Sequence, residues 1–211
     1  MKYPIDPTHL YCAEMTTAQS QLLAYVEKQT FLHTMDPFNL SGHLQGRMLS
    51  MFSHMIKPSR ILEIGTFTAY SALCLAEGLD QDGRIVTIEI NPEMEYLIKQ
   101  HISKSKKTEQ IITMIGNAIE IIPTLSGHYD LIFIDAAKRE YEAYYELCLA
   151  KLRAGGFLLI DNVLWKGKIL QGRRDPRTRA LEAFNLKVRD DHRVENILFP
   201  LSDGLQVVRK I

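Results

Sequence analysis

The chain has 211 residues, 46% of them hydrophobic and 24% charged, which is enough for one α/β core. Its 25 basic and 25 acidic side chains cancel and the pI is about 7.1, so a nucleic-acid groove, which needs a basic excess, is not expected. No stretch reaches the roughly 18 apolar residues of a membrane span, and the N-terminus does not read as a signal peptide. Cys12, Cys74 and Cys148 form neither a disulfide framework nor a zinc knuckle; they read as small buried groups in a protein of the reducing cytoplasm. One local basic cluster, Arg173, Arg174, Arg177 and Arg179, brackets Asp175 and is a candidate contact for an anionic substrate.

In chain order, the first 57 residues read as helical. Periodic apolar positions predict helices over 16–31 and 46–56, with a loop at 36–42 between them. After Pro58 the pattern becomes short apolar runs at 60–64, 84–90, 111–115, 130–134 and 156–160. Strands buried on both faces of a parallel sheet have this composition. Asn91 and Pro92 supply a helix start, as do Asp175 and Pro176. Gly155 and Gly156 are expected to end a helix running through Tyr144, Cys148 and Leu152. Runs at 195–199 and 205–210 are joined by a link too short for a crossover helix, so they form an antiparallel hairpin. The expected fold is a seven-stranded, mostly parallel α/β sheet with one antiparallel strand and helices on both faces.

Two constellations fall at strand ends. The first strand runs through Glu63 and stops at Gly65, where it turns at once into a helix; the second ends at Glu89. A glycine turn lets a ligand approach backbone N–H groups, and an acid at the second strand tip can accept both hydroxyls of a ribose. A dinucleotide-dependent oxidoreductase also pairs such elements, but its three-glycine fingerprint is broken here by Phe67 and Tyr70. Glu63, inside an apolar strand, requires a cationic or hydrogen-bonding partner.

The fourth strand ends at Asp135, followed by Ala136, Ala137 and Lys138, and the fifth ends at Asp161 and Asn162. Two carboxylates at one sheet edge repel unless protonated or cation-paired, and two acids with an amide offer only oxygen ligands. Such a set suits Mg²⁺, Mn²⁺ or Ca²⁺ and disfavours zinc. Trp165 and Lys166 follow Asp161 in a loop that can overhang an acceptor. The seven histidines show no paired ligand spacing, and Tyr141, Tyr144 and Tyr145 read as a packing face.

The run from Glu63 to Ser71 with Val86 to Glu89 resembles the S-adenosylmethionine-binding signature of class I methyltransferases. More narrowly, the chain from about Asn39 onward is similar to the cation-dependent O-methyltransferases of catechol and caffeoyl-CoA type, particularly the small bacterial ones. The resemblance implies one methyltransferase domain over 1–211, with a helical segment at 1–57 packed on an α/β core at 58–211. It implies a cofactor site of Ser41, Glu63, Gly65, Thr66, Ser71, Glu89, Ala118, Asp135 and Ala137, with the loop at Leu40 and Ser41 touching the cofactor. It implies metal ligands Asp135, Asp161 and Asn162, catalytic roles for Lys138 as base and Asp135, and substrate contacts from Lys138, Trp165 and Lys166. The implied reaction is methyl transfer to a catechol-like small molecule, a caffeoyl or CoA-linked acceptor being among the options, by a cytoplasmic homodimer. A non-catalytic S-adenosylmethionine-binding module is the alternative kept beside the oxidoreductase. Ala69 stands where relatives usually have a second glycine, which predicts a slightly altered turn with binding retained.

Overall fold

A computed structural model describes residues 7–171 and 175–211. Three helices come first: α1 (Pro7–Met15), α2 (Gln21–His33) and α3 (Gly42–Ile56). Then follow β1 (Arg60–Ile64), α4 (Tyr70–Ala76), β2 (Arg84–Glu89), α5 (Glu95–Ile102), β3 (Ile111–Ile115), α6 (Ala118–Thr124) and β4 (Tyr129–Ile134). The chain ends with α7 (Tyr141–Lys151), β5 (Leu152–Ile160), α8 (Pro176–Arg189), β6 (Val194–Phe199) and β7 (Leu205–Lys210). The sheet order is β3-β2-β1-β4-β5-β7-β6, and β7 alone runs against its neighbours. The expected seven-stranded, mostly parallel sheet is therefore observed.

Side chains alternate across this sheet. Leu62, Ile64, Ile132, Ile134, Leu158 and Ile160 join α6, α7 and α8 in one buried core. Ile61, Leu131, Phe133 and Leu159 face the other way, against α4, α5, and Leu23, Val26 and Leu49 of α2 and α3. The strand order reverses between β1 and β4, so a crevice opens outside their carboxyl ends.

Several boundaries differ from expectation. Helix α2 starts at Gln21 rather than Thr16, because Ser20 accepts the Leu23 N–H and caps it. Helix α3 starts four residues early, at Gly42, after a short 3₁₀ turn at Pro37–Asn39. β2 stops at Glu89, leaving Ile90 exposed. Asn91 caps a 3₁₀ turn, Pro92–Met94, that leads into α5. Helix α7 ends at Lys151, and Leu152 is already paired with Tyr129 in the ladder, so Gly155 and Gly156 lie inside β5 and do not stop a helix. A Cβ at Gly156 would stand 3.1 Å from the Asp130 carbonyl, so the close strand approach explains that glycine. Cys12 is exposed, contrary to expectation, whereas Cys74 and Cys148 are buried. Among the described residues no helix is long and apolar enough to cross a membrane.

Candidate functional site

At the crevice the parallel ladder continues past the strand ends. Asp135 N–H donates to the Ile64 carbonyl at 2.9 Å, Asp161 N–H to Ile134 at 3.0 Å, and Gly65 N–H to Ile88 at 2.9 Å. Gly65 has φ 99°, and a Cβ there would fall 2.0 Å from the Asp135 carbonyl oxygen. Only glycine lets the β1 tip lie this close to the β4 tip. A single crevice of about 930 Å³ extends along this edge, lined at one end by Gly65, Ser71 and Glu89 and at the other by Asp135, Lys138 and Asp161.

The β1 end is built largely from backbone. Phe67 and Ala69 both take left-handed conformations, with φ 49° and 69°. Ala69 thus adopts the geometry that favours glycine, at a cost of roughly 1–2 kcal/mol, and the added methyl does not displace the backbone from it. Three elements hold this turn. Glu89 accepts the Phe67 N–H at 2.7 Å and the Asn91 N–H at 2.9 Å. The Thr68 hydroxyl bonds Thr30 of α2 at 2.8 Å, and the Thr68 carbonyl lies 2.8 Å from Nδ1 of His101 on α5. That contact fixes the proton on Nδ1, and Nε2 lacks a partner, so burial lowers the His101 pKa. Glu63 is fully buried without a cationic partner. Thr87 donates to its Oε2 at 2.5 Å, and burial raises the carboxyl pKa to about 8 against opposing bonds from Thr87 and Ser71. Thr66 joins the same chain through the Thr87 hydroxyl. Ala118, at the start of α6, and Ser41, before α3, complete this end of the lining.

The other end is built from charged side chains. The Asp135 carboxyl pKa is raised by burial and then by the Asp161 charge, with Lys138 opposing. Burial raises Asp161 as well; Gln45, Asn162 and Lys138 pull it back. Lys138 Nζ donates to Asn162 Oδ1 at 2.7 Å, so an ammonium sits against the amide oxygen of the acid pair. Asp135, Lys138, Asp161 and Asn162 are therefore brought together. Among the described residues no group of three or more His, Cys, Asp or Glu side chains could hold a metal ion. The donor set is two acids and an amide.

The loop after Asp161 is strained. Asn162, Trp165 and Lys166 have φ of 57°, 51° and 54°. The β6–β7 hairpin braces it: Val163 N–H donates to Gly204 O at 3.1 Å, Leu164 N–H to Asp203 O at 2.8 Å, and Lys166 N–H to the Asp203 carboxylate. Trp165 is both core and crevice wall, with the Lys138 and Lys168 ammonium groups 5.7 and 5.5 Å from its ring centroid. Ala137 and Lys166 lie exposed at the rim. Arg177 also lines the crevice, whereas Arg173 and Arg174 lie outside the described residues. The tyrosines of α7 pack as expected, and the Tyr141 hydroxyl donates to the Asp161 carbonyl at 2.8 Å.

Among the crevice residues that sequence reasoning missed are Gln45 and Asp203. No motif marks Gln45. Asp203 carried a usable signal: a reversed strand begins at the edge where parallel strands finish, so the loop before β7 must reach the site.

This open sheet, with its glycine turn, second-strand acid and acidic crevice at the switch point, is the frame of a nucleoside-cofactor transferase. The O-methyltransferase family profile matches residues 13–211. Catechol O-methyltransferase domain-containing protein 1 of Mus musculus is 36% identical over 175 residues, covering 79% of this chain and 66% of that protein, just short of two thirds of its length. Probable caffeoyl-CoA O-methyltransferase 2 of Dictyostelium discoideum is 28% identical, covering 100% of this chain and 91% of the relative. Among solved structures, the S-adenosylhomocysteine-bound methyltransferase PaMTH1 of Podospora anserina superposes with a TM-score of 0.90 at 28% identity, covering 100% of this chain and 99% of that one. The chain belongs to the O-methyltransferase family.

Proposed function

We propose that this protein transfers the methyl group of S-adenosylmethionine to one oxygen of a vicinal dihydroxy, catechol-like small molecule, with a divalent cation bound, Mg²⁺ being the best match. The observation that carries this reading is the continuity of one crevice from the Gly65–Glu89 turn to the Asp135–Lys138–Asp161–Asn162 cluster. The relatives' names and the bound S-adenosylhomocysteine of the fungal structure support the donor and the acceptor class.

In this reading Gly65, Thr66 and Ser71 line the methionine part of the donor, with Glu63 fully buried behind them and not itself on the crevice wall; Glu89 lines the ribose and Ala118 the adenine, with Ser41, Asp135 and Ala137 closing around it. Asp135, Asp161 and Asn162 would hold the cation: all their donors are oxygens, and two buried carboxylates beside one another, with burial raising both, favour a positive ion between them. When bound, the cation supplies charge that favours the ionised form of the acceptor hydroxyl. Lys138 Nζ, once its ammonium has released a proton to solvent, takes the hydroxyl proton as a neutral amine, and the acceptor oxygen then forms its bond to the methyl carbon as the carbon–sulfur bond breaks. Trp165 covers the acceptor; Lys166 and Arg177 at the rim favour an acceptor carrying an anionic tail, such as a caffeoyl carboxylate or CoA thioester. The protein's main contribution is to hold donor and acceptor in line.

Exposed Leu10, Tyr11, Met15, Met51 and Met55 on α1 and α3 support a homodimer, and the free cysteines a cytoplasmic location, with the whole chain as one domain. Sedimentation tests the dimer. For the reaction, S-adenosylhomocysteine should raise Tm while NAD does not. Asp161→Ala should lose methylation of catechol and caffeate; unchanged turnover by that variant, with and without chelator, refutes the metal assignment.

A further inference from the structure

Gln45 is more than nine-tenths buried, at 7% exposure, in the first turns of α3. Its Nε2 donates to Asp161 Oδ2 at 2.7 Å, across 116 residues of sequence. Asn162 Nδ2 donates to the same oxygen at 3.1 Å, and Tyr141 holds the Asp161 main-chain carbonyl from the opposite face of the sheet. Asp161 is thus pinned from both faces, and Gln45 is its carboxylate's anchor to the α3 side. A buried amide costs free energy that an apolar side chain of the same length would not, so stability alone does not account for it. The same helix begins beside Ser41, which lines the donor end. One rigid element therefore touches both ends of the crevice.

We infer that Gln45 is a positioning residue that orients the Asp161 carboxylate for cation binding. This rests on the metal reading above. The test is titration of Mn²⁺ alone, followed by electron paramagnetic resonance of the free ion, on the intact chain. Gln45→Met removes the donor, and Gln45→Asn keeps an amide too short to reach. Ser53→Ala serves as control, since the Ser53 hydroxyl makes a purely structural bond from α3 to the Leu75 carbonyl at 2.6 Å. Both Gln45 variants should bind Mn²⁺ roughly 10–100-fold more weakly, with unchanged S-adenosylhomocysteine affinity. Ser53→Ala should lower Tm and leave Mn²⁺ affinity alone. Wild-type affinity in both Gln45 variants, or an equal loss in Ser53→Ala, overturns the inference while the metal reading stands. Absence of Mn²⁺ binding by the wild-type protein overturns both.

Discussion

The two ends of the crevice solve different problems with different materials. The Gly65–Glu89 end is mostly main chain: a left-handed turn held by Glu89, Thr30 and His101, with Glu63 buried behind it. The Asp135–Asn162 end is mostly side chain: two acids, an amide and an ammonium whose charges balance only approximately. The contrast teaches where sensitivity lies. A backbone cradle shares its load over many bonds, so one lost side chain costs it little. A charge cluster concentrates its function in a few atoms.

Four substitutions sharpen or break that contrast, in falling order of effect. Lys138→Met should cut turnover roughly 10²–10⁴-fold and leave S-adenosylhomocysteine affinity unchanged in calorimetry; a comparable loss of affinity would show that the two ends are not separable. Glu63 should make stability pH-dependent from the donor side. Its folded pKa of about 8 lies above the ordinary value of 4.5, so its stabilising neutral form is fully present below about pH 4.5 and is lost as pH rises through 8. Between pH 6 and 9 the wild-type Tm should therefore fall by at least about 4 °C more than that of Glu63→Gln. Parallel curves would remove Glu63 from the account.

Smaller effects come from the brackets of the turn. His101→Leu loses the bond to the Thr68 carbonyl, worth about 1 kcal/mol, so S-adenosylhomocysteine should bind roughly fivefold more weakly while Mn²⁺ affinity stays put. Ala69→Gly relieves left-handed strain but loses a buried methyl worth about 0.8 kcal/mol, so Tm should stay within about 2 °C of wild type. A clearly larger drop would mean the buried methyl, not the turn, matters there.

Legibility in the sequence followed the same divide between local and distant causes. β1, β3 and β7 were readable to the residue because their ends are marked by glycine, polar turns or the end of an apolar run. Asp135, Lys138, Asp161 and Asn162 were readable as well: an acid at the tip of a buried strand has nowhere to go except the sheet edge. The β5 start was misread because Gly155 and Gly156 look like a helix stop, and only the pairing of Leu152 with Tyr129 shows otherwise. The α2 start was misplaced because Thr16 and Ser20 are both capping residues, and only Ser20 makes the capping bond to a helix N–H. Gln45 could not be found at all, since its meaning lies in a partner 116 residues away.

The single reversed strand also decides which loop borders the crevice beside Trp165. Because β7 enters the sheet where its neighbours leave it, residues 200–204 reach the crevice beside Asp161 and prop up the Trp165 segment. Changes in that short hairpin would reshape the crevice wall near Trp165 while leaving the Gly65–Glu89 turn untouched. A library randomised at Ser202 and Asp203, which line the crevice, tests whether this hairpin tunes which acceptors are taken.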